Sequence, residues 1–385
     1  MASYNHVRVY EDDALTFRGL ITGYISTSTH DRLNEAGYFT ITVPADEPMV
    51  SILQRNYIVN FRRSNLSADI RDSNTTAKTH NIFTGVYRGA VRSTGEDGFE
   101  IVTLHGYGGL GLLKHAIDAI YNESRTGATQ DIIGDLFDDN VSDYLVASTP
   151  ADRLRNRPLE NTVVQPGQTA LTGGLSGSNV TFDTKYRTIY EVVQELLAVD
   201  NAWTDVGLDD FFFPGRIRFM LKPYNYADAS ANIHFRIGVN ASSISLDTRR
   251  IDDETAAIVG GAGQGASKTL SVVEGDNYNV DTNNREIFID ARTTEDASIL
   301  TDIGDIYLSS QQVQDIISAD TIEIAAAQWK PNTVSGPFTY GFRIGDLVSI
   351  VYNDTVYTRQ ISAITWTDEY TDGEKIELEF SNVPS

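Results

Sequence analysis

Thr255-Ala256-Ala257-Ile258-Val259 runs into Gly260-Gly261-Ala262-Gly263-Gln264-Gly265-Ala266. After a second apolar run and a polar loop comes Asn284-Arg285-Glu286-Ile287-Phe288-Ile289-Asp290-Ala291-Arg292. If the glycines cradle a phosphate, the fold is α/β. If they only turn the chain, the fold is mainly β. Gly261, Gly263 and Ala266 match G-x-G-x-x-A after a strand, but a dinucleotide fingerprint also needs a helix N-terminus behind the glycines. Lys268-Thr269-Leu270-Ser271-Val272-Val273 reads instead as a strand. No acidic residue is expected at the end of a second parallel strand about twenty positions on. A phosphate-binding P-loop fails too, because Ser267 precedes Lys268 rather than following it. The glycines therefore predict a hairpin turn that needs positive φ and close backbone approach.

Alternation in the last strand places Arg285, Ile287, Ile289 and Ala291 on one face. Glu286, Phe288, Asp290 and Arg292 share the other, where the three charges can form an ion-pair cluster. Exposed, each pair is worth about 0–1 kcal/mol. Buried at a subunit contact, the cluster fixes register and orientation more than it adds affinity.

Outward from this stretch the chain is β at both ends. Strands are predicted at His6–Tyr10, Leu20–Ser26, Gly37–Val43, Tyr57–Arg63, Ile82–Val91 and Phe99–Leu104, with Pro44 and Gly- or Asp-rich turns between them. From Gly106 the spacing turns helical, at Leu110, Leu113, Ile117 and Ile120, then at Ile132, Ile133, Leu136 and Phe137. Ser148–Ser178 reads as a loop-rich excursion. Asp183 or Thr184 is placed to cap a helix with the stripe Tyr186, Ile189, Tyr190, Val193, Leu196 and Leu197. Strands follow around Trp203, at Arg216–Leu221 and at Ile233–Ile237.

Ile299, Leu300, Ile303, Ile306 and Tyr307, then Val313, Ile316 and Ile317, give a last helical region. Gly304 and Ser309-Ser310 mark a break within it. The chain ends in strands at Thr321–Ala325, Leu347–Tyr352, Val356–Thr367 and Lys375–Phe380.

Tyr57–Phe61, Ile82–Val91 and Phe99–Leu104 are echoed by Leu347–Tyr352, Val356–Thr367 and Ile376–Phe380. Each set is a short strand, a longer one, an Asp-Gly turn (Asp97-Gly98; Asp372-Gly373) and a final alternating strand. Antiparallel meanders resemble one another in general. If the echo is a true repeat, the fold is mainly β with an α+β middle. Residues 1–109 then form a first β-barrel, and 110–245 an α+β domain with the loop-rich excursion at 148–178. Residues 246–385 form a second barrel with an inserted helical segment at 293–318.

The net charge of -23 repels duplex DNA, which argues against a sequence-specific nucleic-acid binder and suits a non-adhesive wall past which a polyanion slides. Cysteine is absent, so thiol catalysis, zinc–thiolate sites and disulfides are excluded. No stretch is long and apolar enough to span a bilayer, and the start lacks the basic and apolar regions of a secretory signal. The six histidines show no metal-ligand spacing, and no G-x-S-x-G elbow or EF-hand loop occurs. No catalytic residue, metal or cofactor is predicted. Tyr24, Tyr38, Trp203, Phe211, Phe212, Phe213, Phe338 and Tyr340 would serve the competing reading, a carbohydrate-binding adhesin of the host surface, though core packing explains most aromatics.

Several motifs in order resemble those of hub, or tail-associated, proteins at the distal end of long-tailed phage tails. They are the N-terminal Val7-Arg8-Val9-Tyr10, Asn34-Glu35-Ala36-Gly37-Tyr38-Phe39, Ile82–Val86 and the Leu104–Tyr107 corner. The strand Arg285, Glu286, Phe288, Asp290, Ala291 and Arg292 and the corner Gly345-Asp346 complete the set. The resemblance implies tail-tube-like barrels and a non-enzymatic virion protein. It implies a homotrimer whose six barrels seat against the sixfold tail tube or distal tail ring and present threefold symmetry to a fibre or spike. The tape measure protein is a further implied partner. The implied place is the distal end of the tail, where the hub closes the channel until DNA ejection, after synthesis in the host cytoplasm. Because Ser385 is the last residue, a fused receptor-binding or wall-digesting extension is not expected.

Overall fold

The computed structural model describes residues 4–11, 16–64, 80–94, 98–115, 125–137, 165–166, 179–182, 184, 187–199, 202–209, 218–225, 227–247, 254–263, 265–275, 278–291, 297–310, 316–321, 342–371 and 373–381. The chain is mainly β. Its first strands are β1 (Tyr4–Tyr10), β2 (Phe17–Ile21), β3 (Ser26–Arg32) and β4 (Glu35–Pro44). After helix α1 (Pro48–Ile52) come β5 (Ile58–Ser64), β6 (His80–Thr94) and β7 (Glu100–Gly108).

The middle holds a 3-10 turn (Gly109–His115), β8 (Arg125–Ala128), α2 (Thr129–Phe137), β9 (Gln165–Pro166) and β10 (Asn179–Phe182). It continues with α3 (Ile189–Val199), β11 (Ala202–Asp209), β12 (Arg218–Asn225), β13 (His234–Arg236) and β14 (Ala241–Asp247). The remainder is β15 (Ala256–Gly260), β16 (Leu270–Glu274), β17 (Glu286–Asp290), α4 (Ala297–Ser310), β18 (Ile316–Thr321), β19 (Leu347–Tyr352), β20 (Thr355–Glu369) and β21 (Gly373–Ser381).

The chain divides into two compact units, Met1–Ile244 with Ser318–Ser385, and Ser245–Ile317. The first is built on a 13-stranded sheet in the order β14-β18-β21-β20-β3-β4-β7-β6-β5-β1-β2, with β19 against β20 and β13 against β19. Two separate closed barrels are not seen among the described strands. The two end regions share one sheet because β3 pairs antiparallel with the second half of β20, from Arg32 opposite Ala363 to Ser26 opposite Glu369.

Within that sheet the echoed strands are two matching meanders. β5-β6-β7 have 7, 15 and 9 residues, and β19-β20-β21 have 6, 15 and 9. Both long strands are bulged at the corresponding place, between Tyr87 and Gly89 and between Ile361 and Ala363. A bulge bends a strand and sharpens its twist, which lets one long strand serve two neighbours along one edge.

Each meander has its own aromatic nest. In the first, Phe61 meets Phe39, Phe83 and Trp366 with ring centroids 5.2, 6.0 and 6.5 Å apart. Gly106 leaves the room for it, since a Cβ there would lie 2.3 Å from the Phe39 ring. In the second, Phe235 meets Phe342 and Phe380 at 5.3 and 5.7 Å. Edge-on pairs of this kind add about 0.5–1.5 kcal/mol each to simple burial.

Helices α2 and α3 pack with Leu110 and Leu113 on Tyr10, Ile58 and Val86 of the sheet. The α3 stripe is as expected from Ile189 to Leu197, with Tyr186 outside the described residues, but its cap is Thr188. The Thr188 Oγ1 accepts from the Glu191 N–H at 3.2 Å, and the Glu191 carboxylate accepts from the Thr188 N–H at 3.4 Å. This reciprocal Thr-x-x-Glu box satisfies two N–H groups at the helix start. Thr184 lies upstream of it, and Asp183 is outside the described residues. So are Ile117 and Ile120 and nearly all of 148–178.

The second unit is a three-stranded sheet, β16-β15-β17, with α4 on one face. Ala257, Val259, Val273, Leu300 and Leu308 are its buried core. Contrary to the expected break, α4 runs unbroken through Gly304. A Cβ there would lie 2.5 Å from Val273 Cγ2, so the glycine serves close approach of helix and sheet. The helix is described as far as Ser310, Val313 lies outside the described residues, and Ile316 and Ile317 belong to β18, not to a helix. Among the described residues no helix is long and apolar enough to cross a membrane.

Candidate functional site

The glycine-rich stretch forms a hairpin, with β15 antiparallel to β16. Gly263 and Gly265 take φ of +105° and +55°, and a Cβ on Gly263 would lie 2.4 Å from the Ser267 carbonyl oxygen. A three-residue 3-10 turn, Gly265–Ser267, separates the strands, in place of the helix that a pyrophosphate site requires. One expectation is corrected. β17 does lie parallel to β15, and it ends in Asp290 opposite Gly260. The side chain of Thr255 fixes its arrival: Oγ1 accepts from the Arg285 N–H at 3.0 Å and donates to the Asn283 carbonyl at 2.7 Å.

Asp290 is engaged within the unit. The Lys268 Nζ donates to Asp290 Oδ1 at 2.9 Å and lies 5.1 Å from the centre of the Phe288 ring. Gly260 makes this possible, because a Cβ there would sit 2.5 Å from Lys268 Cε and 2.6 Å from the Phe288 ring. The lysine of the would-be phosphate loop thus closes the hairpin onto β17. A half-exposed ion pair is worth about 0–1 kcal/mol and the cation over the ring about 0.5–1 kcal/mol, so the arrangement orients side chains more than it stabilises.

Alternation on β17 is as the sequence predicts. Ile287, Ile289 and Ala291 pack toward α4, while Glu286, Phe288 and Asp290 face away. Arg292 lies outside the described residues. The outward face of the small sheet is apolar. Ile258 lies between Val272 and Phe288 in register, and Gly260 is opposite Leu270. Phe288 is 55% exposed and Val272 64%, with Leu270 similarly open. Glu274, Glu286 and the Lys268–Asp290 pair border them. Exposed apolar clusters with a charged rim mark contact surfaces. The sequence reading missed Leu270, Val272 and Lys268 as parts of this face. Period-2 spacing in Leu270-Ser271-Val272 was the available signal.

Gly345 and Asp346 belong to the first unit. Gly345 has φ +86°, and its carbonyl accepts from Gln360 Nε2 at 3.0 Å. Asp346 is buried. Its Oδ1 accepts from the Ala227 N–H at 3.3 Å and the Arg343 Nε at 3.3 Å, and its Oδ2 accepts from the Arg343 N–H at 3.1 Å. Burial pushes its carboxyl above the ordinary range, against the pull of Arg343 and these N–H groups. The corner clamps the segment after Ala227 onto β19, since the Leu347 and Ala229 N–H groups bond across it at 2.9 Å each. The predicted interface residues therefore belong to different units, Arg285, Glu286 and Asp290 to the second and Gly345 and Asp346 to the first.

Among the proposed sugar-stacking residues, the Tyr24 hydroxyl donates to Asp368 and Tyr38 stacks on His30 at 4.8 Å. Phe211–Phe213, Phe338, Tyr340 and the side chain of Trp203 lie outside the described residues. Among the described residues no cluster of three His, Asp or Glu side chains could hold a metal.

A family model, Siphovirus ReqiPepy6 Gp37-like protein, matches residues 6–381. No curated protein sequence matches. Two solved structures share the fold over almost their whole length. One is the 43 kDa tail protein of prophage MuSo2 from Shewanella oneidensis, with a TM-score of 0.58, 10% identity, and coverage of 99% of this chain and 98% of that one. The other is the tail protein from Neisseria meningitidis MC58, with a TM-score of 0.56, 10% identity, and coverage of 98% and 96%.

Proposed function

The chain belongs to the Siphovirus ReqiPepy6 Gp37-like family and carries the fold of phage tail proteins, and from that premise we propose that it is the hub of the tail tip. In this reading three copies form a ring at the distal end of the virion tail. The ring joins the sixfold tail tube or distal tail ring to threefold fibre or spike proteins, receives the tape measure protein, and closes the channel until DNA ejection. The role is structural and needs no catalysis. The observation that carries it is the repeated meander, β5-β6-β7 and β19-β20-β21, joined through β3. A chain with two similar β units supplies six per trimer, which is how a threefold body can match a sixfold one. We read residues 1–109 and 246–385 as the regions that build two tail-tube-like barrels, with 110–245 between them.

Within this reading Arg285, Glu286, Asp290 and Arg292, together with the apolar face around Phe288, serve a packed contact with tail partners. Gly345 and Asp346 hold the second meander in shape. The net charge of -23 favours a surface past which DNA moves without sticking. Sedimentation equilibrium at micromolar concentration tests the proposal. The expected mass is three times the 42.5 kDa of the chain, and a stable monomer would sink it.

A further inference from the structure

In the small sheet of Ser245–Ile317, α4 covers the face that carries Ala257, Val259 and Val273. On the other face, register puts Ile258 of the centre strand between Val272 and Phe288, with Leu270 beside Gly260. Phe288, Val272 and Leu270 are each more than half exposed. β15 is apolar toward both sides, Ala256-Ala257-Ile258-Val259, and its neighbour β17 runs parallel to it. Parallel strands with continuous apolar runs belong to sheets covered on both faces, and the usual cover is a helix.

The rim of the open face is charged unevenly. At one end of the strands Glu274 and Glu286 flank Ala256 from either side. Both are exposed, and among the described residues neither has a cation partner. At the other end Lys268 pairs with Asp290 beside Gly260, and their charges cancel. The face is therefore an apolar floor with two unbalanced carboxylates at one end. Each strand has five residues. That gives a length of about 17 Å, with the outer strands about 10 Å apart. One helix of about three turns, about 16 Å long and about 10 Å wide, has this footprint.

We propose that this face docks one amphipathic helix of another tail protein. The apolar stripe of that helix lies over Ile258, Val272 and Phe288, and its lysine- or arginine-bearing end lies over Glu274 and Glu286. The docked helix completes a three-layer arrangement, with α4 on the opposite face. The same face on a second copy offers Glu274 and Glu286 no free cation, since its Lys268 is already paired with Asp290. A cationic helix end supplies the opposite charge, which sets the direction in which the helix lies more than it adds affinity. This inference rests on the reading of the face as a contact with tail partners, names the occupant, and does not depend on the ring.

The test uses a fluorescein-labelled synthetic helix with an apolar stripe at i, i+3, i+4 and i+7 and lysines at one end. Its twin carries glutamates in their place. Anisotropy with the full chain at low salt is expected to show the lysine helix binding about tenfold more tightly than its twin, a preference that shrinks in high salt. Glu274→Gln and Glu286→Gln together are expected to remove the preference. Phe288→Ser is expected to weaken the lysine helix about tenfold or more. Tyr370→Ser, at an exposed aromatic of the first unit, is expected to change nothing. All these side chains are exposed, so each variant is expected to keep the circular dichroism of the parent. Equal binding of the twins, no binding of either, or a Phe288→Ser protein that binds like the parent overturns the proposal. So does a parent whose mass drops on Phe288→Ser, because the face then holds a second copy. A monomeric parent that binds the lysine helix through Phe288 overturns the ring and leaves this docking intact.

Discussion

His30 shows how one side chain ties chain ends together. It lies on β3 opposite Thr365 of β20, with Nδ1 2.7 Å from the Thr365 Oγ1, and its Nε2 accepts from Arg32 Nε at 2.9 Å. Burial lowers its proton affinity, and Arg32 acts in the same direction, against Glu379, Glu35 and Glu377. The folded chain thus holds the imidazole neutral. A depressed histidine pKa means the unfolded chain binds the proton first. Stability is complete above the ordinary value of about 6.5 and falls as pH drops through it toward the lower folded value. The urea midpoint is expected to fall between about pH 7.5 and about pH 5.5, and to fall less in His30→Gln. Equal pH slopes in the two proteins would contradict this.

At the scale of elements, legibility followed apolar alternation. β6 and β20 were readable because their buried faces carry Ile82, Val86, Ile364 and Trp366 at strand spacing. α3 was readable from its stripe. Its start was misplaced because Thr188-Ile189-Tyr190-Glu191, a capping box in plain view, was passed over for residues upstream. β3 and β14 were not read as strands at all. The first, Ser-Thr-Ser-Thr-His-Asp-Arg, has no apolar residue, and the second, Ala-Ser-Ser-Ile-Ser-Leu-Asp, offers only Ile244 and Leu246 among serines. The buried positions of β3 are Thr27, Thr29 and His30. Backbone pairing with a neighbour, more than a hydrophobic face, makes such a strand, and for β3 one of those neighbours, β20, is 335 residues away at the His30–Thr365 pair. Gly304 failed for a related reason, since the demand for a glycine comes from Val273 on another element. Gly304→Ala gains about 1 kcal/mol of helix propensity but overpacks the contact at about 1–3 kcal/mol. Hydrogen exchange should therefore quicken in Ala297–Ser310 and stay unchanged in β20. Slower exchange in the helix would show that the close approach is relieved without cost.

For the whole molecule, the sequence reading reached the mainly β class and the internal echo, and the nucleotide site fell away on a local test of strand against helix. The single shared sheet was out of its reach, because the junction runs through the polar strand β3. The candidate contact face was half legible: alternation placed Glu286, Phe288 and Asp290 together, but Lys268, Leu270 and Val272 joined them only through the hairpin. The central claim is that this chain assembles into a threefold ring from a twofold internal repeat. Electron-microscopic class averages of the purified chain at assembly concentration test it most directly. The account predicts closed rings with threefold symmetry and six similar lobes; compact single particles with no ring would contradict it.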